Sequence, residues 1–352
     1  MNDHLPFMQR ALYLARLGAG SVAPNPLVGA VLVHEGRIIG EGWHRQYGQA
    51  HAEVNCINSV KPEDQYKIKE STIYVTLEPC AHFGKTPPCA ALIIQHKIPK
   101  VVIACVDTFS EVAGKGIQQL RDAGIAIELG VLEQEARWLN RRFFTFHEKK
   151  RPYVLLKWAE SSDGFIAPEN GRKVMLSNTL VQRYVHKMRH EEAAIMVGYN
   201  TVLADDPFLT DRFFGTQQPL RIVYDPEDAL PAQLHLKTDG HKTIIYNHKR
   251  AAENGNCSYI SLEQTGEDPV KSILDDLHQR GINSLIVEGG TKTLETFISS
   301  GLWDEAHIIK TPVIIGTGTP APGLGRARRA DVITLADNTI ELFENTLQQL
   351  LP

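Results

Sequence analysis

The chain alternates between two hydrophobic periods along its length. Short apolar runs such as residues 71–77 (STIYVTL) predict strands, and segments with apolar positions three or four apart, such as residues 116–124 (GIQQLRDAG), predict helices. A helix is predicted near Phe7–Leu17, followed by two strands that turn at Glu35-Gly36. Strands and helices then alternate, which predicts an α/β sandwich with a mixed sheet in the first half.

A second alternating region follows a charged helical run at residues 133–150, which ends at Arg151-Pro152. The change from helix to strand there predicts a domain boundary at about residues 146–151. With 352 residues, the chain exceeds the ~250–300 at which one core usually splits. In the second half the pattern predicts mostly parallel strands with covering helices.

Composition and charge exclude several classes of protein. Hydrophobic residues make up 43% and charged residues 22%, as in globular enzymes, and the formal net charge of −4 gives no support to nucleic acid as a partner. No apolar stretch approaches the ~18 residues of a membrane span, and the first residues lack the order of a signal peptide. We therefore expect a cytoplasmic protein that uses neither membrane nor nucleic acid.

A histidine and two cysteines have the spacing of a catalytic zinc site. His51-Ala52-Glu53 opens a predicted helix, Glu78-Pro79-Cys80 closes a strand, and Cys89 follows. Catalytic zinc takes three protein ligands, here His51, Cys80 and Cys89, and Glu53 can carry protons between water and a leaving amine. Zinc nucleobase deaminases have the pattern H-x-E…P-C-x-x-C, but eight residues separate the two cysteines here. His82 in place of Cys89 is the alternative ligand.

Four blocks of the first half, taken together, resemble the deaminase domain of bacterial riboflavin biosynthesis, in which the longer cysteine spacing is the rule. They are PNPLVG, VGAVLV, GEGWHRQYGQAHAEVN and YVTLEPCAHFGKTPPCA. The resemblance covers residues 1–147 and implies a cytidine-deaminase-like α/β/α sandwich. It also implies a diaminopyrimidinone substrate with a ribosylamino 5′-phosphate. The positions that match the pocket of that family are Asn25, His44, His82 and Lys85.

The remaining cysteines and two glycine motifs are not expected to act in chemistry. Cys56, Cys105 and Cys257 are predicted to pack, because a sparse, odd number of cysteines argues against a disulfide framework. Two G-x-G-x-x-A segments, at residues 18–23 and 316–321, lack the strand–turn–helix context of a dinucleotide fingerprint. Residues 286–297 (IVEGGTKTLETF) suit a phosphate better, because glycines precede a predicted helix N-terminus.

Three segments of the second half, KWAESSDG, MVGYNTVLADDPFLT and LIVEGGTKTLETF, resemble the reductase domain of the same family. The resemblance implies a dihydrofolate-reductase-like domain over residues 152–352, with NADPH as the hydride donor. It assigns cofactor contacts to Glu160, Met175, Thr201, Asp205, Gly290, Thr291, Lys292, Thr293, Leu294, Glu295 and Thr296. It assigns substrate contacts to Lys157, Lys173, Ser177, Arg189, Leu209, Arg212 and Glu288. Glu160, Met175 and Lys173 depart from the residue types usual in the family.

Both motif sets in one chain predict a bifunctional enzyme that deaminates and then reduces one phosphorylated pyrimidine in riboflavin biosynthesis. We expect a homo-oligomer, either a dimer or a tetramer. One alternative is a deaminase of another base, such as a tRNA adenosine or a free base, with a second domain that only binds. The other is a non-catalytic sensor of pyrimidine phosphates.

Overall fold

The computed structural model describes residues 3–81, 88–108, 114–169, 172–215, 217–262 and 268–346. The chain divides into two compact units, residues 1–150 and residues 151–352. Among the described residues, none of the helices is both long and apolar enough to cross a bilayer.

The first unit contains a five-stranded mixed sheet in the order β2-β1-β3-β4-β5. Its strands are β1 (Gly29–His34), β2 (Arg37–Trp43), β3 (Thr72–Leu77), β4 (Lys100–Cys105) and β5 (Ala126–Leu129). Its α-helices are α1 (Leu5–Arg16), α2 (Ala52–Asn58), α3 (Cys89–Gln95), α4 (Lys115–Asp122), α5 (Glu133–Leu139) and α6 (Arg141–Lys149). A 3-10 helix covers Pro62–Glu70. The antiparallel β1–β2 hairpin turns at Glu35 and Gly36, both with positive φ, and β3, β4 and β5 are parallel.

Helices cover both faces of this sheet. Apolar residues of α2, α3 and α4, such as Ile57, Ile93 and Leu120, form one buried cluster with the strands. Residues of α1, α5 and α6, such as Met8 and Phe144, form another. The layers confirm the predicted α/β/α sandwich. The helical run at residues 133–150 is two helices, because the amide of Asn140 bonds the backbone N–H and carbonyl of Leu27 between them.

The second unit is built on a ten-stranded sheet in the order β11-β12-β10-β9-β8-β13-β6-β14-β17-β16, with a separate β7–β15 pair. Its strands are β6 (Tyr153–Glu160), β7 (Phe165–Pro168), β8 (Ala194–Gly198), β9 (Leu220–Tyr224), β10 (Thr243–Asn247), β11 (Ala252–Asn254), β12 (Cys257–Ser261), β13 (Ser284–Glu288), β14 (Glu305–Lys310), β15 (Gly318–Pro320), β16 (Ala327–Leu335) and β17 (Asn338–Asn345). Its helices are α7 (Thr179–Glu191), α8 (Tyr199–Asp205), α9 (His235–Thr238), α10 (Pro269–Gln279) and α11 (Thr291–Ser300).

The seven strands from β12 to β14 in this order are mutually parallel. This confirms the predicted parallel sheet with covering helices: Leu277 and Phe297 of α10 and α11 pack on one face, and Met188 of α7 packs on the other. The antiparallel β16–β17 hairpin was not predicted. Its first strand (ARRADVITL) is mostly exposed, and only Ala327, Ile333 and Leu335 near its ends pack against buried clusters, which gives a weak signal.

The two glycine motifs at residues 18–23 and 316–321 do not form a strand–turn–helix unit. The first follows α1 as a series of turns, and the second contains the short strand β15.

Candidate active sites

The three predicted metal ligands converge in the first unit. His51 is the residue at the N-cap position of α2, Cys80 follows β3, and Cys89 is the first residue of α3. The Nδ1 atom of His51 lies 3.6 Å from Cys80 Sγ and 3.4 Å from Cys89 Sγ. One nitrogen and two sulfurs, all within 4.8 Å of one another, form the donor set that tetrahedral zinc accepts, so these residues fit a zinc ion.

Local contacts hold the start of α2 in place. The side-chain amide of Asn55 donates to the carbonyls of Trp43 at 2.8 Å and Ala50 at 3.2 Å. A Cβ on Gly42 would lie 2.2 Å from the backbone nitrogen of Cys56. Only glycine at this position of β2 lets α2 pack so closely, which positions His51 and Glu53.

Glu53 is the buried carboxyl group of this site. Its side chain is 3% exposed. Burial, assisted by the negative charge of Cys80, raises the pKa of Glu53 to about 7, while His51 opposes the shift. A carboxyl group with this pKa can both accept and release a proton near neutral pH. Hydrogen bonds from Cys89 and His51 lower the pKa of the Cys80 thiol, and the thiolate is the form that binds metal.

Two of the four predicted pocket residues lie beside this cluster. The Asn25 amide nitrogen is 3.3 Å from His44 Nε2, and His44 Nδ1 is 3.2 Å from the carbonyl of Ala50. The imidazole rings of His44 and His51 are 5.4 Å apart and nearly perpendicular. Burial lowers the pKa of His44, which favours the neutral ring. His82, also the alternative ligand, and Lys85 lie outside the described residues.

A buried charge cluster forms at the carboxyl end of β13 in the second unit. Glu288 accepts two hydrogen bonds from the guanidinium of Arg189 on α7, both 2.9 Å, and one from Lys157 on the neighbouring strand β6 at 3.2 Å. Burial alone would raise the pKa of Glu288, but the two cations hold it well below its usual range. The sheet thus brings together three predicted substrate residues.

Glycines form a cradle next to this cluster. Gly289 and Gly290 both have positive φ, and α11 begins at Thr291. A Cβ on Gly290 would lie 2.9 Å from Thr201 Oγ1, and one on Gly198 would lie 2.2 Å from Thr293 Oγ1. Thr201 and Thr293 therefore pack directly on these glycines, where no larger residue fits. The parallel strands β8 and β13 end here, and the first N–H groups of a helix can bind a phosphate, so the cradle fits a dinucleotide such as NADPH.

The other predicted cofactor positions differ in accessibility. Lys292 and Glu295 are exposed and Thr296 is half-buried, whereas the Leu294 side chain is buried in the core, so only its backbone can contact a ligand. The Glu160 carboxylate accepts from Trp158 Nε1 at 2.7 Å and pairs with Lys310. Its charge is therefore already compensated within the protein.

Three further predicted residues, Lys173, Met175 and Ser177, lie on the segment that precedes α7. Lys173 Nζ lies 4.0 Å from a carboxylate oxygen of Asp205, and both side chains are exposed. Gln182 donates to Met175 Sδ and to the carbonyl of Ser177, both at 3.5 Å. Met175 is 72% exposed, so its apolar side chain is open to a ligand.

Leu209 and Arg212 lie on the segment that follows α8. Leu209 is buried and has a positive φ of 55°. Arg212 is exposed, and its Nη2 is 3.2 Å from Nε2 of the buried His186. Arg189 has given two of its donors to Glu288, so Arg212 is the more accessible of the two arginines.

One buried carboxylate beside the metal ligands was not predicted. Glu78 is 4% exposed and accepts hydrogen bonds from the backbone N–H groups of Asp107, Gly114, Gly116 and Ile117. Its place in the Glu-Pro-Cys motif was visible in the sequence. Its hydrogen-bond partners were not, because they belong to another strand and helix.

The two sites define the class of protein: a zinc-dependent deaminase joined to a dinucleotide-dependent reductase. Family models match both parts, "Cytidine and deoxycytidylate deaminase zinc-binding region" over residues 1–105 and "RibD C-terminal domain" over residues 152–348. The chain is 39% identical over 350 residues to "Riboflavin biosynthesis protein RibD" of Aquifex aeolicus, covering 96% of this chain and 97% of that protein. It is 40% identical over 326 residues to the protein of the same name from Bacillus amyloliquefaciens, covering 90% and 86%.

Solved structures are similar to this chain over nearly its whole length. A Thermotoga maritima diaminohydroxyphosphoribosylaminopyrimidine deaminase/5-amino-6-(5-phosphoribosylamino)uracil reductase superimposes with a TM-score of 0.88 at 34% identity, covering 97% of this chain and 99% of that one. Acinetobacter baumannii RibD gives a TM-score of 0.88 at 31% identity, covering 98% and 99%.

The chain belongs to the RibD family of bifunctional riboflavin-biosynthesis enzymes. The predicted activity and fold classes are thereby confirmed, as are zinc and NADPH as cofactors. These findings do not favour a deaminase of another base or a non-catalytic sensor.

Proposed function

We propose that residues 1–147 deaminate 2,5-diamino-6-(5-phosphoribosylamino)pyrimidin-4(3H)-one and that residues 152–352 reduce its ribosyl side chain with NADPH. The product is 5-amino-6-(5-phosphoribitylamino)uracil. The observation that carries the proposal is the convergence of His51, Cys80 and Cys89 with a buried Glu53, in the same chain as the glycine cradle of the second unit.

In the deaminase unit, His51, Cys80 and Cys89 would hold the zinc, which when bound supplies Lewis acidity and makes water a nucleophile at neutral pH. Glu53 would accept a proton from the attacking water and deliver it to the departing amine, so that ring C–NH2 and water become ring C=O and ammonia. Asn25 and His44 orient the pyrimidine next to the metal ligands. His82 and Lys85 are proposed to bind the phosphorylated sugar.

In the reductase unit, the backbone of Gly290 to Thr296, with Thr201 and Asp205, would hold NADPH, which supplies the hydride when bound. Glu160 and Met175 add contacts through backbone and apolar atoms. Lys157, Arg189 and Glu288 form one side of the substrate pocket, because Glu288 holds both cations in place. Lys173, Ser177, Leu209 and Arg212 complete the substrate side, and the exposed Arg212 suits a phosphate.

Reduction adds a hydride to C1′ of the opened ribosyl group and a proton to the oxygen released from the ring. Positioning of the two carbons is the main requirement for this transfer. No general acid is assigned among the residues of this site.

The proposal is tested by mixing the full chain with the ribosylamino substrate and NADPH, and following ammonia and reduced-cofactor absorbance together. We expect ammonia release first, then an equal amount of NADPH oxidised. NADPH oxidation with no ammonia, or ammonia with no oxidation, would contradict one half of the proposal. NADH in a parallel reaction measures the cofactor preference.

We also propose that the protein is cytoplasmic and forms a dimer or tetramer. All five cysteines are free thiols, as is usual in a reducing compartment. Analytical ultracentrifugation of the full chain measures the oligomeric state, and a purely monomeric protein would contradict that part of the proposal.

A further inference from the structure

We infer that Glu78 is a positioning residue of the deaminase unit, which sets the position of the Cys80 sulfur by tying the Glu78-Pro79-Cys80 segment to the start of α4. The inference rests on the proposed zinc site and deepens it.

The Glu78 carboxylate binds four backbone N–H groups of one distant segment. One oxygen accepts from Asp107 at 3.3 Å and Gly114 at 3.0 Å, and the other accepts from Gly116 at 2.9 Å and Ile117 at 3.1 Å. With 4% of Glu78 exposed, water cannot replace these bonds. The single side chain thus joins the end of β4 to the first turn of α4.

The segment that connects Glu78 to Cys80 is short and has little conformational freedom. Only Pro79 lies between Glu78 and Cys80, and its ring fixes φ. A Cβ on Gly116 would lie 1.9 Å from the carbonyl oxygen of Pro79, so the backbone of α4 packs directly on this residue. The Glu78 N–H donates to the carbonyl of Cys105 at 3.0 Å, which fixes the other end of the turn.

The other side of Cys80 is held by α3. The Cys80 carbonyl accepts from Ala90 N–H at 3.1 Å, and Cys89 N–H lies 3.4 Å from Cys80 Sγ. Cys80 is therefore placed between α3, which carries the Cys89 ligand, and α4, which Glu78 holds. A change at Glu78 removes the direct bonds to α4 and keeps those to α3, so we expect it to move Cys80 relative to Cys89 and His51.

The expected effect of a change at Glu78 can be judged from other metal sites. Loss of a residue that holds a metal ligand in place commonly reduces metal affinity or activity by roughly 10–100-fold. Glu78→Gln is the sharpest change, because it keeps the shape but replaces one accepting oxygen by an NH2 group that faces two N–H donors.

The experiment uses the full chain loaded with Co²⁺, whose visible spectrum reports the geometry of its ligands, and Zn²⁺ affinity measured by competition with a chelator. For Glu78→Gln we expect Zn²⁺ affinity to fall roughly 10–100-fold and the Co²⁺ spectrum to change. The kcat of ammonia release should fall with little change in KM. The reductase half-reaction should stay at the wild-type rate, which shows that the second unit is intact, and the unfolding temperature reports on the first.

Asp225→Asn is the matched control. Asp225 is a buried carboxylate of the other unit that accepts backbone N–H groups from Ala229 and Leu230 at 3.1 and 2.9 Å. Its substitution removes a comparable loop contact and should leave Zn²⁺ affinity, the Co²⁺ spectrum and ammonia release unchanged.

A Glu78→Gln protein with wild-type affinity, spectrum and kcat would overturn the inference, and so would a lower unfolding temperature with an unchanged Co²⁺ spectrum. If Glu78→Gln does not fold, Glu78→Asp is tested by Zn²⁺ affinity and the Co²⁺ spectrum instead. This substitution keeps the negative charge and shortens the side chain. Wild-type protein and Cys80→Ser distinguish a failure of the proposed zinc site from a failure of the inference about Glu78. Absence of Zn²⁺ binding in the wild type refutes the zinc site itself. Normal binding in the wild type leaves only the role of Glu78 in question.

Discussion

Glu53 and Glu288 are both buried carboxyl groups, yet their pKa values move in opposite directions. Glu53 lies beside Cys80, and its pKa rises to about 7. Glu288 lies between Arg189 and Lys157, and its pKa falls well below the usual range. Burial penalises both charges, so the neighbouring groups decide the outcome. The same type of side chain thus has a raised pKa in one unit, as the proposed proton carrier needs, and is held as an anion in the other.

The largest effect is expected for Glu53→Ala. Removal of the proton carrier should reduce ammonia release by about 10²–10⁴-fold, while zinc content and NADPH oxidation with a deaminated substrate stay at wild-type levels. Ammonia assays and metal analysis measure these quantities. Glu63→Ala, an exposed change in the same unit, is the control. A wild-type rate of ammonia release would refute the role of Glu53.

Glu288→Ala should destabilise the second unit. It leaves the half-buried Arg189 and Lys157 without their buried anion, a loss of up to about 3–5 kcal/mol in the free energy of unfolding. Denaturant unfolding measures it, and reduction should fall while ammonia release is kept. Glu227→Ala removes an exposed ion pair with Lys249 and should cost less than about 1 kcal/mol. Equal losses in the two variants would contradict the comparison.

Acid should lower the free energy of unfolding of the second unit by protonating the Glu288 carboxylate. Because the folded-state pKa of Glu288 is lowered, its contribution to stability is present above the unfolded pKa of about 4.3 and is lost as the pH falls below that value. Unfolding curves from pH 7 to pH 3 measure this loss. In Glu288→Gln the acid-dependent loss should be smaller, and an identical pH profile would show that other groups cause it.

The smallest effect is expected for Asp205→Ala. Asp205 is exposed and its ion pair with Lys173 is long at 4.0 Å, so the loss of NADPH contact should be about 1 kcal/mol or less, a several-fold rise in KM for NADPH. Ammonia release should not change. The exposed Asp275→Ala on α10, which pairs with Lys271, is the control. An unchanged KM would remove Asp205 from the cofactor site.

Much of the fold was predictable because its strands are buried and apolar. The β1–β2 hairpin, the strand that precedes Cys80, the strand that ends at Glu288 and the helix that begins at Thr291 all follow from hydrophobic period and turn residues. The β16–β17 hairpin and the break at Asn140 were not predictable. Exposed strands lack a one-sided apolar pattern, and the Asn140 break depends on Leu27, 113 residues away.

By itself the sequence predicted the candidate metal ligands and Glu53, because His51 and Glu53 are near neighbours and the cysteines stand in a short motif. Tertiary structure alone decided which partners each buried acid has. Glu288 meets Arg189 across 99 residues, and Glu78 binds backbone groups up to 39 residues away. Such contacts depend on strand order and helix packing, which local periodicity does not encode, and they determine whether a buried carboxyl group carries a proton or a fixed charge.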